Sequence, residues 1–336
     1  MFGVSCAPEM FQRVMEQILA ECDNVINFID DIMIFGADIE EHDEALRKVL
    51  TVLKSRNILL NHEKCIYKVK EIEFLGHLLS HQGIRPTTSK IDSLQKFREP
   101  KTSEEVRSFL GLVTYVGRFL PDLTTKTAVL RKLTYKHCKF EWKYEHQRCF
   151  EELKRMISDV KTLSFFDNSL RTRVIADASP VALGAVLVQY PNEQDDEYHI
   201  ISYASKSMTN TEKRYCQTEK EALALVWSVE RFAVYLIGRQ FELETDHKPL
   251  EIIFAPTSTP CARIERWVLR LQSFKFTVKY RKGSGNVRMT LYLVWFLQKI
   301  LMILRKKIIF LYWQFKSQWL LMLKRSKKLL VMIRRC

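Results

Sequence analysis

Apolar residues recur with two different periods along this chain of 336 residues, and the periods divide it into elements. Phe11, Val14, Met15 and Ile18 share one face of a helix expected over Phe11 to Leu19, and a second helix is expected from just after Asp38 through Val52. Between them, Val25 to Ile29 and Ile32 to Phe35 have strand length and composition, so the adjacent Asp30 and Asp31 fall at the turn of a hairpin. Phe74 to Leu79 reads as a further strand, and Gly83 and Pro86 punctuate the chain after it. Thr102-Ser103-Glu104-Glu105 is a capping box ahead of Val106, Phe109, Leu110, Val113 and Val116, which predicts an amphipathic helix. Phe140 to Ser158 reads as another. After the polar break Asp167-Asn168-Ser169 the pattern turns strand-like over Arg173 to Ala176 and Gly184 to Gln189, separated by Ser179-Pro180. Glu219 to Leu236 is helical, Phe241 to Thr245 alternates apolar and acidic, Ile264 to Phe274 is helical, and Phe276 to Tyr280 is strand-like. Such an alternation predicts an α/β chain.

A hydrophobic content of 47% suits buried cores in two or three domains. Eight cysteines are scattered without a C-x-x-C pair, which points away from a zinc site or a disulfide framework. No secretory signal peptide or transmembrane segment is evident, so a reducing intracellular compartment is expected. The net charge of +14 looks like a nucleic-acid footprint, but it is concentrated at one end. From Arg288 to Cys336 there are 12 basic and no acidic residues, which leaves 41 basic against 39 acidic residues before them. Any duplex-binding surface in the globular part must therefore be a local basic patch.

The candidate chemistry lies in carboxylates. Asp30 and Asp31 repel each other and stay ionised together where water or a cation neutralises them; a magnesium site and a solvated turn both fit. Asp177 ends one predicted strand and Asp246 another, and each is soon followed by a strand-breaking proline, Pro180 and Pro249. Carboxylates at strand ends can converge on one site. Glu221 stands three residues after Thr218 in a second T-x-x-E pattern, so helix capping and catalysis are both open to it. Glu219 and Glu221 flank the stripe of Ala222, Leu225, Val226, Val229 and Ala233 from opposite sides, and either could reach a site. Arg263, Arg266 and Arg270 recur at helical spacing beside Trp267, as a phosphate-tracking row or a solvated helix face would.

Several ordered segments resemble one family. Phe2-Gly3-Val4-Ser5-Cys6-Ala7-Pro8-Glu9-Met10-Phe11-Gln12 is similar to the F-G-x-x-x-A-P-x-x-F-Q segment of reverse transcriptases. Phe28-Ile29-Asp30-Asp31 resembles their aromatic-x-Asp-Asp box, and Phe74-Leu75-Gly76-His77 their primer-grip segment. Ala176-Asp177-Ala178-Ser179, Glu221-Ala222-Leu223-Ala224-Leu225 and Thr245-Asp246-His247-Lys248-Pro249 are similar to three acidic segments of ribonuclease H, and the match favours Glu221 over Glu219. The resemblance is to the polymerase and ribonuclease H region of gypsy-type LTR retroelements, over Met1 to about Val287.

That resemblance implies an α+β palm remnant over residues 1–80, a helical thumb and tether over 81–165, and an RNase H-like mixed-sheet α/β domain over 166–287. It implies Asp30 and Asp31 as polymerase metal ligands. It also implies Asp177, Glu221 and Asp246 as nuclease residues that hold magnesium or manganese while the RNA strand of an RNA–DNA hybrid is cut. Phe74, Gly76, Arg263, Arg266 and Arg270 would contact nucleic acid. The implied partners are a template–primer duplex, an RNA–DNA hybrid and a second Pol chain in a dimer, with no specific membrane partner, in a cytoplasmic retroelement particle or the nucleus.

The family pattern breaks in two places. Its third polymerase aspartate lies well before the F-G-x-x-x-A-P segment, so DNA synthesis by this polypeptide alone is not expected. After Gly285-Asn286-Val287 the family continues with Ala-Asp, the fourth nuclease carboxylate, whereas this chain has Arg288-Met289-Thr290-Leu291-Tyr292-Leu293-Val294. Codons GCG GAT GAC TTT ATA TCT CGT, for Ala-Asp-Asp-Phe-Ile-Ser-Arg, give the observed residues once the leading G is lost. The hypothesis is that residues 288–336 are out of frame, and a locus whose sequence cannot restore Ala-Asp by one inserted base would refute it. The rival reading of this basic, apolar tail is a helix lying on an anionic membrane surface, since uncharged runs such as Met289 to Gln298 fall short of the roughly 20 residues that span a bilayer. The alternative to an enzyme is a non-catalytic nucleic-acid-binding remnant or a degenerate product.

Overall fold

A computed structural model of the chain describes residues 6–136, 138–192, 197–255, 258, 260–282 and 329–334. The frame slip at Arg288 and the membrane-surface reading of the tail concern residues that, apart from 329–334, lie outside that set. Two compact units divide the chain, one over Met1–Thr87 with Gln314–Cys336, the other over Thr88–Trp313.

In the first unit, helix α1 (Ala7–Leu19) carries Pro8 in its first turn, where its fixed φ is suited, and buries Met15 and Leu19. Strands β1 (Val25–Phe28) and β2 (Asp31–Gly36) pair antiparallel with Phe28 opposite Asp31, so the loop is only Ile29-Asp30. Ile29 takes the left-handed conformation (φ 49) that glycine usually supplies in such tight turns. Gln12 of α1 clamps this turn: its Oε1 accepts from the Ile29 N–H at 2.6 Å and its Nε2 donates to the Asn27 carbonyl at 3.1 Å. Helix α2 (Ile39–Ser55) begins at Asp38, whose carboxylate accepts from the Glu41 N–H, and buries Ala45, Val49 and Leu53 in one cluster with Ile32 and Ile34 of β2. A Cβ on Gly36 would stand 2.5 Å from the His42 nitrogen, so glycine is what lets the strand turn beneath the helix.

Next come β3 (Ile66–Val69), β4 (Glu71–Phe74), β5 (His77–Ser80) and β6 (Gly83–Pro86), the last three forming an antiparallel meander. The single strand expected over Phe74 to Leu79 is thus the end of β4, a two-residue turn and β5. Leu75 and Gly76 both have positive φ (50 and 74), and apolar Leu75 in the turn hides the break from a hydrophobicity pattern. Gly83 and Pro86, expected as punctuation, instead begin and end a strand. Leu329–Arg334 forms a strand between β2 and β3, with Met332 opposite Met33 and Arg334 opposite Asp31.

The second unit opens with helices α3 (Thr88–Gln95), α4 (Ser103–Tyr115), α5 (Leu123–Lys132) and α6 (Tyr144–Ser158). Only half of the expected capping box of α4 forms: the Glu105 N–H donates to Thr102 Oγ1 at 3.2 Å, but the Glu105 carboxylate accepts from the Lys101 N–H at 2.6 Å rather than from that of Thr102. Helix α6 starts later than the pattern suggested because Phe140 and Trp142 belong to the preceding segment, from which Trp142 packs edge-on against Phe150.

A five-stranded sheet follows, built from β7 (Arg171–Ala178), β8 (Ala182–Tyr190), β9 (His199–Ser207), β10 (Gln240–Thr245) and β11 (Lys275–Tyr280) in the order β11-β10-β7-β8-β9. β7, β8 and β9 pair antiparallel, while β10 runs parallel to β7 and β11. Helix α7 (Gln217–Arg231) joins β9 to the short α8 (Ala233–Leu236) and β10; α9 (Pro249–Ile253) and α10 (Ala262–Arg270) precede β11. One core holds Val174, Ala176, Leu183 and Leu187 from the sheet together with Ala222, Leu225, Val226 and Val229 from α7. Elsewhere on the sheet the buried Arg173 guanidinium bridges Glu242 (2.7 Å) and Glu244 (2.8 Å), two carboxylates of β10. Helix α5 docks on β8 and β9: the Thr124 N–H and hydroxyl lie 3.1 and 2.9 Å from Ser205 Oγ, and a Cβ on Gly184 would stand 2.9 Å from Asp122 Oδ1. No described helix is long and apolar enough to cross a membrane.

Candidate active site

The carboxylates that the sequence placed far apart meet at one end of the five-stranded sheet. Asp177 is the penultimate residue of β7, and Asp246 immediately follows β10, which runs parallel to β7 beside it. Two neighbouring parallel strands therefore deliver their C-terminal ends, and an acid, to the same place. Glu221 comes from the first turns of α7, which packs over β7. Carboxylate oxygens of the three residues lie within 4.8 Å of one another.

Their surroundings differ. Asp246 is exposed and Asp177 intermediate, whereas Glu221 is only 4% exposed. Burial, and then the nearby Asp246 charge, push the Glu221 carboxyl up to about 7, against the pull of two hydrogen bonds. Those bonds fix its direction: Oε1 accepts from Gln217 Nε2 at 2.6 Å and Oε2 from the Ala178 N–H at 3.2 Å. Next to Asp246, His247 Nε2 lies 2.9 Å from Thr218 Oγ1, tying the end of β10 to the start of α7. The Ala178 and His247–Thr218 contacts were not legible in the pattern, because they join residues brought together only by the fold, whereas Gln217 and Glu221 are four apart on one helix.

The start of α7 decides between the two glutamates. The helix begins two residues earlier than the Thr218–Glu221 box required, at Gln217 with Cys216 as N-cap, and Glu219 is the reciprocal capping residue, accepting from the Cys216 N–H at 3.1 Å. Glu219 also pairs with Arg263 of α10 at 2.6 Å. With Glu219 so engaged, Glu221 is left to the acidic cluster.

The arginines of the row have partners within the protein. Arg263 is held by Glu219 and lies over the Tyr215 ring, Arg270 pairs with Glu230 at 2.5 Å, and Arg266 Nε donates to the Ala262 carbonyl. Two of the three join α10 to α7. In the first unit, Asp30 is exposed at the tip of the β1–β2 turn and Asp31 opens β2. Phe74 is buried with Met33 and Ile72, and Gly76 supplies a turn conformation, so both have structural duties, while Leu75 between them is 48% exposed.

Three carboxylates within 4.8 Å form an all-oxygen donor set whose repulsion is already visible at Glu221. Such a set fits a hard divalent cation.

Residues 1–79 match the reverse transcriptase (RNA-dependent DNA polymerase) family, and residues 167–274 the RNase H-like domain found in reverse transcriptase. The chain is 35% identical over 288 residues to the retrovirus-related Pol polyprotein from transposon 297 of Drosophila melanogaster, covering 85% of this chain and 26% of that one. It is 33% identical over 290 residues to the transposon Tf2-3 polyprotein of Schizosaccharomyces pombe, covering 85% and 22%. The chain thus spans about a quarter of the curated relatives it matches. Among solved structures, the foamy viral protease-reverse transcriptase in complex with dsDNA superposes with a TM-score of 0.72 at 23% identity, covering 85% of this chain and 60% of that one. The same viral protein in complex with RNA/DNA hybrid gives 0.71. At that identity the likeness is one of fold.

Proposed function

Because this chain belongs to the retrotransposon Pol polyproteins, joining a reverse transcriptase segment to an RNase H-like domain, we propose that it cleaves the RNA strand of RNA–DNA hybrids at the Asp177, Glu221 and Asp246 cluster. One observation carries the proposal: carboxylates from two strand ends and a helix start lie within 4.8 Å of one another. Magnesium or manganese would be held there, supplying charge neutralisation and an activated water for in-line phosphodiester hydrolysis.

The protein's own groups have separable tasks. Asp177 and Asp246 present charge at the sheet end. Glu221, held by Gln217 and the Ala178 N–H, is a carboxyl that gives up its proton only near pH 7 unless a cation compensates it. His247, through Thr218, positions the strand end that carries Asp246. Asp30 and Asp31 are proposed as polymerase metal ligands by family likeness, with the β4–β5 hairpin, through Leu75 and the backbone around Phe74 and Gly76, meeting a template–primer duplex. On this reading residues 1–80 form the palm portion, 81–165 the thumb and tether, and 166–287 the nuclease.

The test is cleavage of a labelled RNA–DNA hybrid by the full chain with magnesium or manganese. Magnesium-dependent cutting that falls by orders of magnitude in Asp177→Asn is the expected outcome. Hybrid binding without cutting would replace the enzyme with a non-catalytic nucleic-acid-binding protein.

A further inference from the structure

Strands β7 and β10 carry a second charged cluster, further back along the sheet than the carboxylates. Arg173 of β7 is only 3% exposed, yet it faces two acids of β10: Nε and Nη2 lie 2.8 and 2.7 Å from Glu242 Oε2, and Nη1 donates to Glu244 Oε2 at 2.8 Å. Its direction is fixed from β8, where Nη1 reaches the Tyr190 hydroxyl at 3.3 Å and the guanidinium stands over the ring, 4.6 Å from its centroid. Lys279 of β11 and Arg281 just after it approach Glu242 and Glu244 at 2.5 and 3.7 Å. Burying such charges adds little stability, because desolvation offsets most of their attraction. Their best-attested use is to specify register.

Register is what the carboxylates depend on. Arg173 stands opposite Glu242, Val174 opposite Leu243 and Ile175 opposite Glu244. Carried two residues further, the same offset sets Asp177 opposite Asp246. The guanidinium clamp and the acids thus lie four residues apart on the same pair of strands, roughly 13 Å. Alternation of inward and outward side chains forbids a slip of one residue but tolerates a slip of two. A slip of two would move Asp246 by roughly 7 Å along β7, more than the 4.8 Å within which the three carboxylates meet. In one direction it would set Arg173 opposite Gln240, with one carboxylate lost from the grip; in the other it would draw Asp246 itself toward the guanidinium.

We propose that Arg173 is a positioning residue for the nuclease: by gripping Glu242 and Glu244 together it sets the stagger of β10 on β7 and so keeps Asp246 beside Asp177 and Glu221. The inference deepens the nuclease reading and rests on it for the use of the cluster. It gives the buried ion cluster a role in cation affinity rather than in stability.

The experiment follows Mn²⁺ binding to the full chain by electron paramagnetic resonance, without nucleic acid, for the parent, Asp177→Asn, Arg173→Lys and Arg173→Met/Glu242→Leu/Glu244→Leu. Asp177→Asn identifies the Mn²⁺ held at the carboxylates. Lysine keeps a compensating charge but lacks the planar fork that meets two carboxylates. The triple variant removes all three charges at once, and apolar replacement of such a cluster is often neutral or stabilising. Both Arg173 variants are expected to keep the parent's far-UV circular dichroism and to weaken the Asp177-dependent site about tenfold, the lower end of what groups supporting metal ligands contribute. A cluster that served stability alone would shift the melting midpoint and leave that affinity unchanged. Parent-like Mn²⁺ affinity in a folded variant of either kind would overturn the inference even if the parent cuts hybrid. Weakened binding in a chain that never cuts would uphold the role of Arg173 and remove the nuclease reading instead. A parent with no Asp177-dependent Mn²⁺ would overturn both.

Discussion

Glu221 is where the chemistry of the cluster and the stability of the protein meet. Its carboxyl ionises near 7 in the folded chain against 4.5 when free. Below pH 4.5 both states are protonated and no penalty arises. As pH rises from there to about 7, the unfolded chain releases this proton before the folded one, so stability falls, by on the order of 3 kcal/mol in total. Denaturant titration without divalent ions should show that decline, and millimolar magnesium should flatten it. A metal-free profile that stays level across the interval would mean the glutamate is better solvated than its 4% exposure implies. Much of this site could be read from residues alone, since Asp177 and Asp246 each follow an apolar strand. The choice of Glu221 could not, because it turns on where α7 begins and on an arginine more than forty positions away at Arg263.

Elements show the same division between pattern and contact. The helices α1, α2 and α4 and the strands β7, β8, β10 and β11 announce themselves through periodicity and caps, because each buries one face. Turns such as Leu75-Gly76 do not, since backbone conformation there overrides an apolar side chain. α9 had a signal that was read only as a strand breaker: Pro249 sits in its first turn. Two glycines separate close approach from mere freedom. Gly36→Ala should cost about 1–3 kcal/mol or more, as backbone at His42 must retreat. Gly111→Ala, within α4 and with nothing inside 4 Å of the added methyl, should stabilise by about 0.5–1 kcal/mol. Gln12→Ala should cost the β1–β2 hairpin about 1–2 kcal/mol, because it releases a clamp on a left-handed isoleucine. Thermal or urea melts of the three variants check these signs, and an unaltered midpoint for Gln12→Ala would show the turn to be self-sufficient.

For the whole molecule, two compact units mean that a single unfolding free energy is not expected. Residues 88–282, produced alone, should unfold in one cooperative step and keep the pH profile assigned to Glu221. Melting of that piece well below the corresponding transition of the full chain would show that it depends on the first unit. The two-unit division was only partly legible, because the pattern shows a break near residue 166 where the structure is continuous. Helix α5 lies against β8 and β9 across that break, joined by Thr124 to Ser205 and admitted by the bare Gly184. Grafting is where this matters. A nuclease module excised at 166 would carry into any new host a strip of sheet shaped to receive a helix it has left behind, whereas one excised at 88 brings its lid along, and chimaeras cut at the later point should precipitate first.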